Sequence, residues 1–347
     1  MGLNSNRLDF LRLAFAGMVF VYHAVVLSAT QPESALEQHL ATLAELSIQG
    51  FFIISGALVY GSFERARSLS DYAGKRIRRL YPAYVVVILI PALISAVLTL
   101  GEAGAGQAIL RYLGANLIFL NFLEPSLPGL FEGHRFEVVN GALWTLKIEV
   151  MFYLVLPVIA WGLTRLRSAW WVGIVSLVMA GLIWRGALLA LDYSASAQLA
   201  RQLPGQMMYF AAGMALWRLL PLIRTQAGWL ILIGSAALGA ALLLPLLDVL
   251  RVLGLAALVA GIGFVRGPAL NAARWGDISY GVYIVHFPIV QALVAFGVFE
   301  TYGLLVGLTA ATFLVVATSY LLWWWVERPA LRRDSHYRTV SREGSRK

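Results

Sequence analysis

Apolar stretches of about 20 residues recur along the whole chain and are separated by short polar segments. An α-helix of about 20 apolar residues is long enough to cross the hydrocarbon core of a bilayer. The pattern predicts ten membrane-spanning helices, at about residues 8–29, 40–62, 81–100, 141–163, 169–190, 204–220, 228–247, 249–265, 276–298 and 303–326. Residues 107–123 form a candidate re-entrant helix. An even number of spans places both termini on the same side of the membrane.

The composition agrees with an all-α polytopic membrane protein. Hydrophobic residues make up 60% of the chain and charged residues 13%, and the mean hydropathy is +0.75. These values exclude a soluble domain with a polar surface. Because the chain contains no cysteine, it has no disulfide, no thiol nucleophile and no thiolate metal site, and no metal is expected.

The net charge of +9 comes mainly from basic residues in the loops on one side of the ten-span arrangement. Lys and Arg accumulate in cytoplasmic loops, so this bias predicts that both termini are cytoplasmic. The bias explains the positive charge without a nucleic-acid partner and leaves the lipid bilayer as the expected surroundings. We expect one transmembrane domain, residues 1–334, followed by a basic and disordered cytoplasmic tail at residues 335–347.

The first predicted span carries two ionisable residues, Arg12 and His23. Ionisable side chains are costly in hydrocarbon and are functional candidates by default. A helix places these two residues on one face, about 16 Å apart along its axis. Arg12 is therefore expected near the cytoplasmic boundary, and His23 deep in the membrane.

A basic segment, residues 75–79, follows the second predicted span as a short amphipathic helix. Its Arg76 and Arg79 are three residues apart and share a helix face. One interpretation is a topology signal that contacts anionic lipid headgroups. The other is a phosphate-binding clamp, because guanidinium groups bind phosphate bidentately. Arg12 could join such a clamp.

Glu149 is a carboxylate inside the fourth predicted span. By helical rise it lies about 12 Å below the outer boundary, close to the depth of about 10 Å for His23. A carboxylate bonded to one imidazole nitrogen fixes the tautomer and stabilises the imidazolium, as a general base acting on a hydroxyl requires. We therefore predict a pair of His23 and Glu149. The alternative is that each residue separately satisfies a buried backbone group or a water.

Five segments in a fixed order resemble acyltransferase family 3, the integral-membrane acyltransferases. The segments are the first span with Arg12 and His23, residues Phe51–Gly56, residues Lys75–Tyr84, the block Trp144–Tyr153 and residues Ser279–Pro288. The resemblance runs from Arg7 to the closing Glu327-Arg328-Pro329 and so covers nearly the whole chain. Thr145 stands where the family often has Ser, and Lys147 is unusual inside its block. Neither change removes a group with an assigned role.

The resemblance implies transfer of an acyl group, usually acetyl from acetyl-CoA, to a hydroxyl of a glycan, a lipid-linked saccharide or a small natural product. It implies a bacterial cytoplasmic (inner) membrane as the location, and an acyl-CoA donor as the small molecule bound. By the same resemblance the residue matching His23 is catalytic. The residues matching Glu149, Arg12, Arg76 and Arg79 serve activity or donor binding.

Further residues of these segments are candidates to contact a substrate or to support the site: Trp144, Ser55, Tyr153, His286 and Tyr283. The pair Ser55-Gly56 in an apolar helix is more often a close-packing site than a nucleophile. His286 lies deep in the ninth predicted span, two residues before Pro288. It could contact the donor or the acceptor, or brace a helix kink.

Buried His, Glu and Arg residues in ten spans also describe a proton-coupled transporter or a polysaccharide exporter. Inverted repeats and paired Gly/Pro-broken helices are not evident in the sequence, however. The cationic groups also cluster at one face instead of lining a lumen. The predicted function is therefore a membrane-bound O-acyltransferase with His23 as general base, supported by Glu149.

Overall fold

The computed structural model describes residues 7–29, 32–191, 193–244, 248–266 and 276–332, together with residues 270, 272 and 335. Regular structure in these residues is helical, which confirms the all-α prediction. The helices are α1 (Leu8–Ser28), α2 (Ala35–Glu64), α3 (Leu69–Leu98), α4 (Ala105–Leu117), α5 (Trp144–Arg165), α6 (Trp170–Leu189), α7 (Ser196–Ala200), α8 (Leu203–Arg218), α9 (Leu220–Leu243), α10 (Asp248–Phe264), α11 (Ser279–Ala295), α12 (Val298–Leu322) and α13 (Arg328–Ala330). Short 3-10 turns, Gly141–Leu143 and Arg167–Ala169, lead into α5 and α6. A π-helical turn, Trp323–Glu327, joins α12 to α13.

Each of the ten predicted spans coincides with a helix, but the count of ten membrane crossings is not confirmed. Seven helical stretches in the described part of the chain are long and apolar enough to cross a membrane: Leu8–Ser28, Ala35–Glu64, Leu69–Leu98, Gly141–Arg165, Arg167–Leu189, Leu220–Leu243 and Val298–Ala330. The helices α8, α10 and α11 contain 16, 17 and 17 residues. Such helices are about 24–26 Å long, against a hydrocarbon core of about 30 Å.

Two further expectations concern the candidate re-entrant segment and the two termini. The candidate re-entrant segment overlaps α4, a helix of 13 residues, and its entry into the membrane stays a prediction. The cytoplasmic placement of the termini also stays a prediction. The basic tail at residues 335–347 lies outside the described residues except for residue 335.

The chain divides into two compact units, each built from separate stretches of sequence. The first unit comprises Met1–Arg12, Leu46–Ala73 and Ile148–Asn271. The second comprises Leu13–Glu45, Gly74–Lys147 and Ala272–Lys347. The predicted boundary at residue 334, between the transmembrane domain and the basic tail, is a different division and stays a prediction.

In the first unit, glycines bring α2 and α8 into backbone contact. A Cβ atom at Gly56 would collide with the carbonyl oxygen of Phe210, and one at Gly213 would collide with the carbonyl oxygen of Ile53. Small residues allow membrane helices to approach this closely. The close-packing interpretation of the Ser55-Gly56 pair is therefore confirmed for Gly56.

In the second unit, α11 packs along α12 and is buried over most of its length. Its sequence is apolar on all sides, as expected of a helix enclosed by other elements. Among its buried residues are three polar ones, Ser279, His286 and Gln291, and the last two have 0% exposed surface. Buried polar groups need hydrogen-bond partners, so the packing of α11 determines what these two side chains contact.

Candidate active site

His23 on α1 and His286 on α11 form a hydrogen-bonded pair of imidazoles in the second unit. The distance from His23 Nδ1 to His286 Nε2 is 2.8 Å. The two rings are stacked, with centroids 5.0 Å apart and an angle of 21° between their planes. His286 is fully buried, whereas His23 is half-buried. His23 thus lies in an apolar helix and is not fully enclosed by the described residues.

The surroundings of this histidine pair are aromatic and backbone groups. His286 Nδ1 lies 3.0 Å from the carbonyl oxygen of Val282, one helical turn earlier. The ring of Phe287 lies edge-on to His23, with 5.1 Å between the ring centroids. The ring of Phe20 lies edge-on to His286, with 6.2 Å between the ring centroids. These contacts hold both imidazoles in defined orientations.

Glu149 on α5 belongs to a separate polar cluster, in the first unit. Tyr153 Oη donates a hydrogen bond of 2.5 Å to Glu149 Oε1, and Ser55 Oγ donates one of 3.1 Å to the same oxygen. Tyr72 Oη in turn donates to the carbonyl oxygen of Tyr153, at 3.2 Å. Two hydroxyl groups thus donate to one carboxylate oxygen of Glu149.

The structure therefore brings three of the predicted site residues together: Ser55, Glu149 and Tyr153. The contact of Tyr153 could have been read from the sequence, because residues four apart share a helix face. The contact of Ser55 with a residue 94 positions away could not. His23 and Glu149 belong to different units, and the pairing between them stays a prediction.

Arg79 on α3 is buried in an ion-pair network of the second unit. Its Nη1 donates to Glu327 Oε2 at 2.7 Å, and its Nη2 donates to Asp277 Oδ2 at 2.6 Å. Ser279 Oγ also donates to Asp277, at 2.6 Å. The guanidinium lies 5.4 Å from the ring centroid of Tyr280. Arg79 is only 6% exposed, so the two carboxylates give it a structural role. Direct contact of Arg79 with a phosphate stays a prediction.

Sequence analysis did not identify either carboxylate as a partner of Arg79. Asp277 is 198 residues from Arg79, and Glu327 is 248 residues from it. One weak signal existed for Asp277, which lies two residues before the recognised segment Ser279–Pro288. Glu327 ends the π-helical turn after α12, where its side chain could not be oriented from sequence.

Arg12 and Arg76 are the remaining candidates for a phosphate clamp. Arg12 Nη1 lies 3.9 Å from Asp9 Oδ1, and the Arg12 side chain is 14% exposed. Arg76 is half-buried on α3, one helical turn before Arg79. The neighbouring Arg78 is exposed. The three arginines of α3 thus have different environments despite their proximity in sequence.

The beginning of α5 is attached to α11 within the second unit. Thr145 Oγ1 and Tyr283 Oη are 2.6 Å apart, and Asn140 Nδ2 donates to the carbonyl oxygen of Ile284 at 2.8 Å. Asn140 also caps the following turn by accepting from the backbone N–H of Ala142. Lys147 extends its ammonium group over the ring of Phe122, at 4.5 Å. The two departures from the family pattern, Thr145 and Lys147, therefore have structural partners.

The segment between α4 and α5 also forms hydrogen bonds within the second unit. Arg135 donates two hydrogen bonds to Glu37, of 2.9 and 3.0 Å, and the bond to Glu37 raises the pKa of Arg135. Gln291 Nε2 donates to the carbonyl oxygens of Phe136 and Val138 at 2.6 and 3.0 Å. The sequence provided no indication of the role of Gln291.

Comparison with known proteins identifies the family. A family model described as an acyltransferase domain matches residues 5–324. Nodulation protein 10 of Rhizobium leguminosarum bv. viciae is 27% identical, over 94% of this chain and 93% of its own length. The O-acetyl transferase of Shigella phage Sf6 is 28% identical, over 95% of this chain and 97% of its own length.

A third relative is the exopolysaccharide production protein ExoZ of Rhizobium meliloti (strain 1021), 29% identical over 87% of this chain and 94% of its own length. No solved structure is significantly similar to the chain. The family match covers every candidate site residue. The closing residues Glu327-Arg328-Pro329 lie beyond it. The protein therefore belongs to acyltransferase family 3 and is an integral-membrane acyltransferase.

Proposed function

We propose that this protein transfers an acyl group, in the first instance acetyl, from acyl-CoA to a hydroxyl of a carbohydrate acceptor. The observation that carries the proposal is the imidazole of His23, half-buried in an apolar helix and bonded at Nδ1 to a buried partner. Relatives named as an O-acetyl transferase and as an exopolysaccharide production protein support acetyl as the group and a saccharide as the acceptor. The bacterial inner membrane is the proposed location.

The proposed chemistry uses His23 as a general base. His23 takes the proton of the acceptor hydroxyl while the hydroxyl oxygen forms a bond to the thioester carbonyl carbon. The carbon–sulfur bond then breaks, and the thiolate leaving group takes the proton from His23. The products are an O-acyl ester and free CoA, and the enzyme returns to its starting state.

Glu149 is the proposed electrostatic partner of this step. The carboxylate of Glu149, which accepts hydrogen bonds from Ser55 and Tyr153, would stabilise the positive charge that develops on His23. The proposal requires Glu149 to be ionised during turnover.

We expect Glu149→Gln to lower kcat by on the order of 10²-fold, because the amide keeps the shape of the side chain but removes its charge. The donor KM should change little. Steady-state kinetics of the purified variant checks the prediction, with the exposed loop residue Glu102 changed to Gln as the matched control. A raised donor KM at unchanged kcat would instead place Glu149 in the donor-binding site.

Donor binding is proposed to use Arg12 and Arg76 as phosphate ligands. Arg12 and His23 lie on one face of α1, about 16 Å apart along its axis by helical rise. The pantetheine arm of CoA spans a comparable length, so a donor anchored at Arg12 could extend its thioester toward His23. Arg79 is the third proposed donor-binding residue, and its ion pairs with Asp277 and Glu327 would hold its guanidinium group in place.

We predict that Arg12→Lys and Arg76→Lys each weaken CoA binding by about tenfold or more, since one charge-assisted hydrogen bond contributes about 1.5–3 kcal/mol. Lysine keeps the charge that orients the helices but cannot bind phosphate bidentately. Titration of the purified variants with CoA measures the effect, and Arg78→Lys at an exposed position of α3 serves as the control. Wild-type affinity in both test variants would leave these arginines as topology and lipid-contact residues.

The experiment that tests the proposed function uses the purified protein in lipid nanodiscs with acetyl-CoA labelled in the acetyl group. We expect release of free CoA and transfer of label to saccharide acceptors. The acceptor itself is sought by comparing glycans and metabolites of a deletion strain with those of wild type for a lost acetyl mass. Substrate flux in proteoliposomes without any acyl donor, and without thioester consumption, would support a transporter instead.

A further inference from the structure

The groups that surround His286 determine which ring nitrogens of the two histidines carry protons. Its Nδ1 contacts the carbonyl oxygen of Val282 at 3.0 Å. A carbonyl oxygen can only accept a hydrogen bond, so His286 Nδ1 must carry a proton and donate it. The ring of His286 is completely buried beside aromatic side chains, where a charged imidazolium would be costly. A neutral His286 then has an unprotonated Nε2, which acts as an acceptor.

This assignment determines the tautomer of His23. The atom that faces His286 Nε2 is His23 Nδ1, at 2.8 Å. Because His286 Nε2 accepts, His23 Nδ1 must carry the proton and donate it. A neutral imidazole has one N–H, so the lone pair of His23 is on Nε2. Which nitrogen of an imidazole carries the proton is in general set by the hydrogen bond that the other nitrogen makes.

We propose that His286 is a positioning residue, which holds His23 in the tautomer that presents an unprotonated Nε2 to the acceptor hydroxyl. The inference rests on the proposed function, in which His23 is the general base. Its structural basis is a chain of hydrogen bonds that begins at the backbone carbonyl of Val282 and passes through His286 to His23. The backbone of α11 thereby acts on the tautomer of His23, whose ring is also hydrogen-bonded to the backbone of Val19, one helical turn earlier on α1.

The proposal gives His286 the contact with His23 Nδ1 that sequence analysis assigned to Glu149. When His23 Nε2 takes the proton of the hydroxyl, both nitrogens of His23 carry protons. The Nδ1–H then donates to His286 as a charge-assisted hydrogen bond, which is stronger than the neutral one. The proton on Nε2 passes to the thiolate as the carbon–sulfur bond breaks, so the Nδ1 proton stays in place throughout.

Two substitutions of His286 separate positioning from packing. The amide oxygen of His286→Gln lies near the position of Nε2 and can accept from His23 Nδ1, whereas His286→Leu fills a similar volume without an acceptor. We expect His286→Leu to lower kcat by on the order of 10²-fold, with donor and acceptor KM unchanged. His286→Gln should stay within about tenfold of wild type, because it restores the acceptor.

The tautomer itself is measured by ¹⁵N NMR of histidine-labelled protein in nanodiscs. The signals of His23 are assigned from their loss in His23→Gln, and the exposed His39 is an internal control. We expect wild-type His23 to show a protonated Nδ1 and an unprotonated Nε2. In His286→Leu the signals should shift toward protonation at Nε2, while those of His39 stay unchanged.

Several results would overturn the inference. They are a protonated Nε2 in wild-type His23, wild-type turnover by a correctly folded His286→Leu, or equal losses in the Leu and Gln variants. If His286→Leu does not fold, the wild-type NMR spectrum still decides. Absence of acyl transfer by the wild-type protein would contradict the proposed function, whereas the tautomer measurement would stand independently of it.

Discussion

Replacement of His23 by alanine is expected to abolish acyl transfer while the protein still folds and inserts. The substitution removes the proposed general base, and general base catalysis contributes about 10²–10⁴-fold to rates. We therefore expect kcat to fall by a factor in that range, with little change in donor affinity. Release of free CoA from labelled acetyl-CoA by the purified variant provides the measurement.

The matched control for this prediction is His39→Ala. His39 is exposed on α2, where its Nδ1 contacts the carbonyl oxygen of Ala35, and its loss should leave turnover unchanged. Size-exclusion chromatography establishes that both variants are folded. Wild-type turnover by correctly folded His23→Ala would remove His23 from the mechanism, and the proposal for His286 would fail with it.

Loss of the Arg79 side chain is expected to destabilise the protein strongly. Arg79→Ala would leave Asp277 and Glu327 as buried carboxylates, which are 3% and 1% exposed. Breaking a buried ion pair by removing one partner costs about 3–5 kcal/mol. Thermal unfolding of the purified variant in nanodiscs should show a clear decrease in Tm, larger than for any other single substitution proposed for this protein.

Two comparisons make the Arg79 prediction specific. Arg78→Ala, at the exposed neighbouring position, should leave the Tm nearly unchanged. Combining Arg79→Ala with Asp277→Asn and Glu327→Gln should recover part of the lost stability, because the two carboxylates are then no longer charged. An Arg79→Ala variant as stable as Arg78→Ala would show that the network does not stabilise the fold.

Helices and candidate residues could be predicted because both depend on local sequence. A run of about 20 apolar residues predicts a membrane helix whatever its neighbours are, which is why all ten predicted segments coincide with helices. The number of membrane crossings does not follow from this pattern in the same way, because α8, α10 and α11 contain only 16 or 17 residues. Ionisable residues in apolar helices, such as His23 and Glu149, stand out for a similarly local reason.

The partners of these residues could not be predicted in the same way. Sequence spacing connects Glu149 with Tyr153, four residues later on the same helix. It does not connect His23 with His286, which are 263 residues apart. The proposed partner of His23 was Glu149, whereas the contact observed at its Nδ1 is with His286. Matching depth along two helices is a weak criterion, because it leaves the rotation and neighbours of each helix undefined.

The sequence by itself determined the all-helical class, the membrane environment and the family, since hydropathy and an ordered set of short segments are properties of the chain alone. Only the tertiary structure decided that Arg79 is enclosed by Asp277 and Glu327, and that His23 Nδ1 on α1 contacts His286 Nε2 on α11. The physical reason is that hydrogen bonds and ion pairs require distances near 3 Å. Distances of that accuracy between distant segments are set by how helices pack, and helical periodicity alone does not specify that packing.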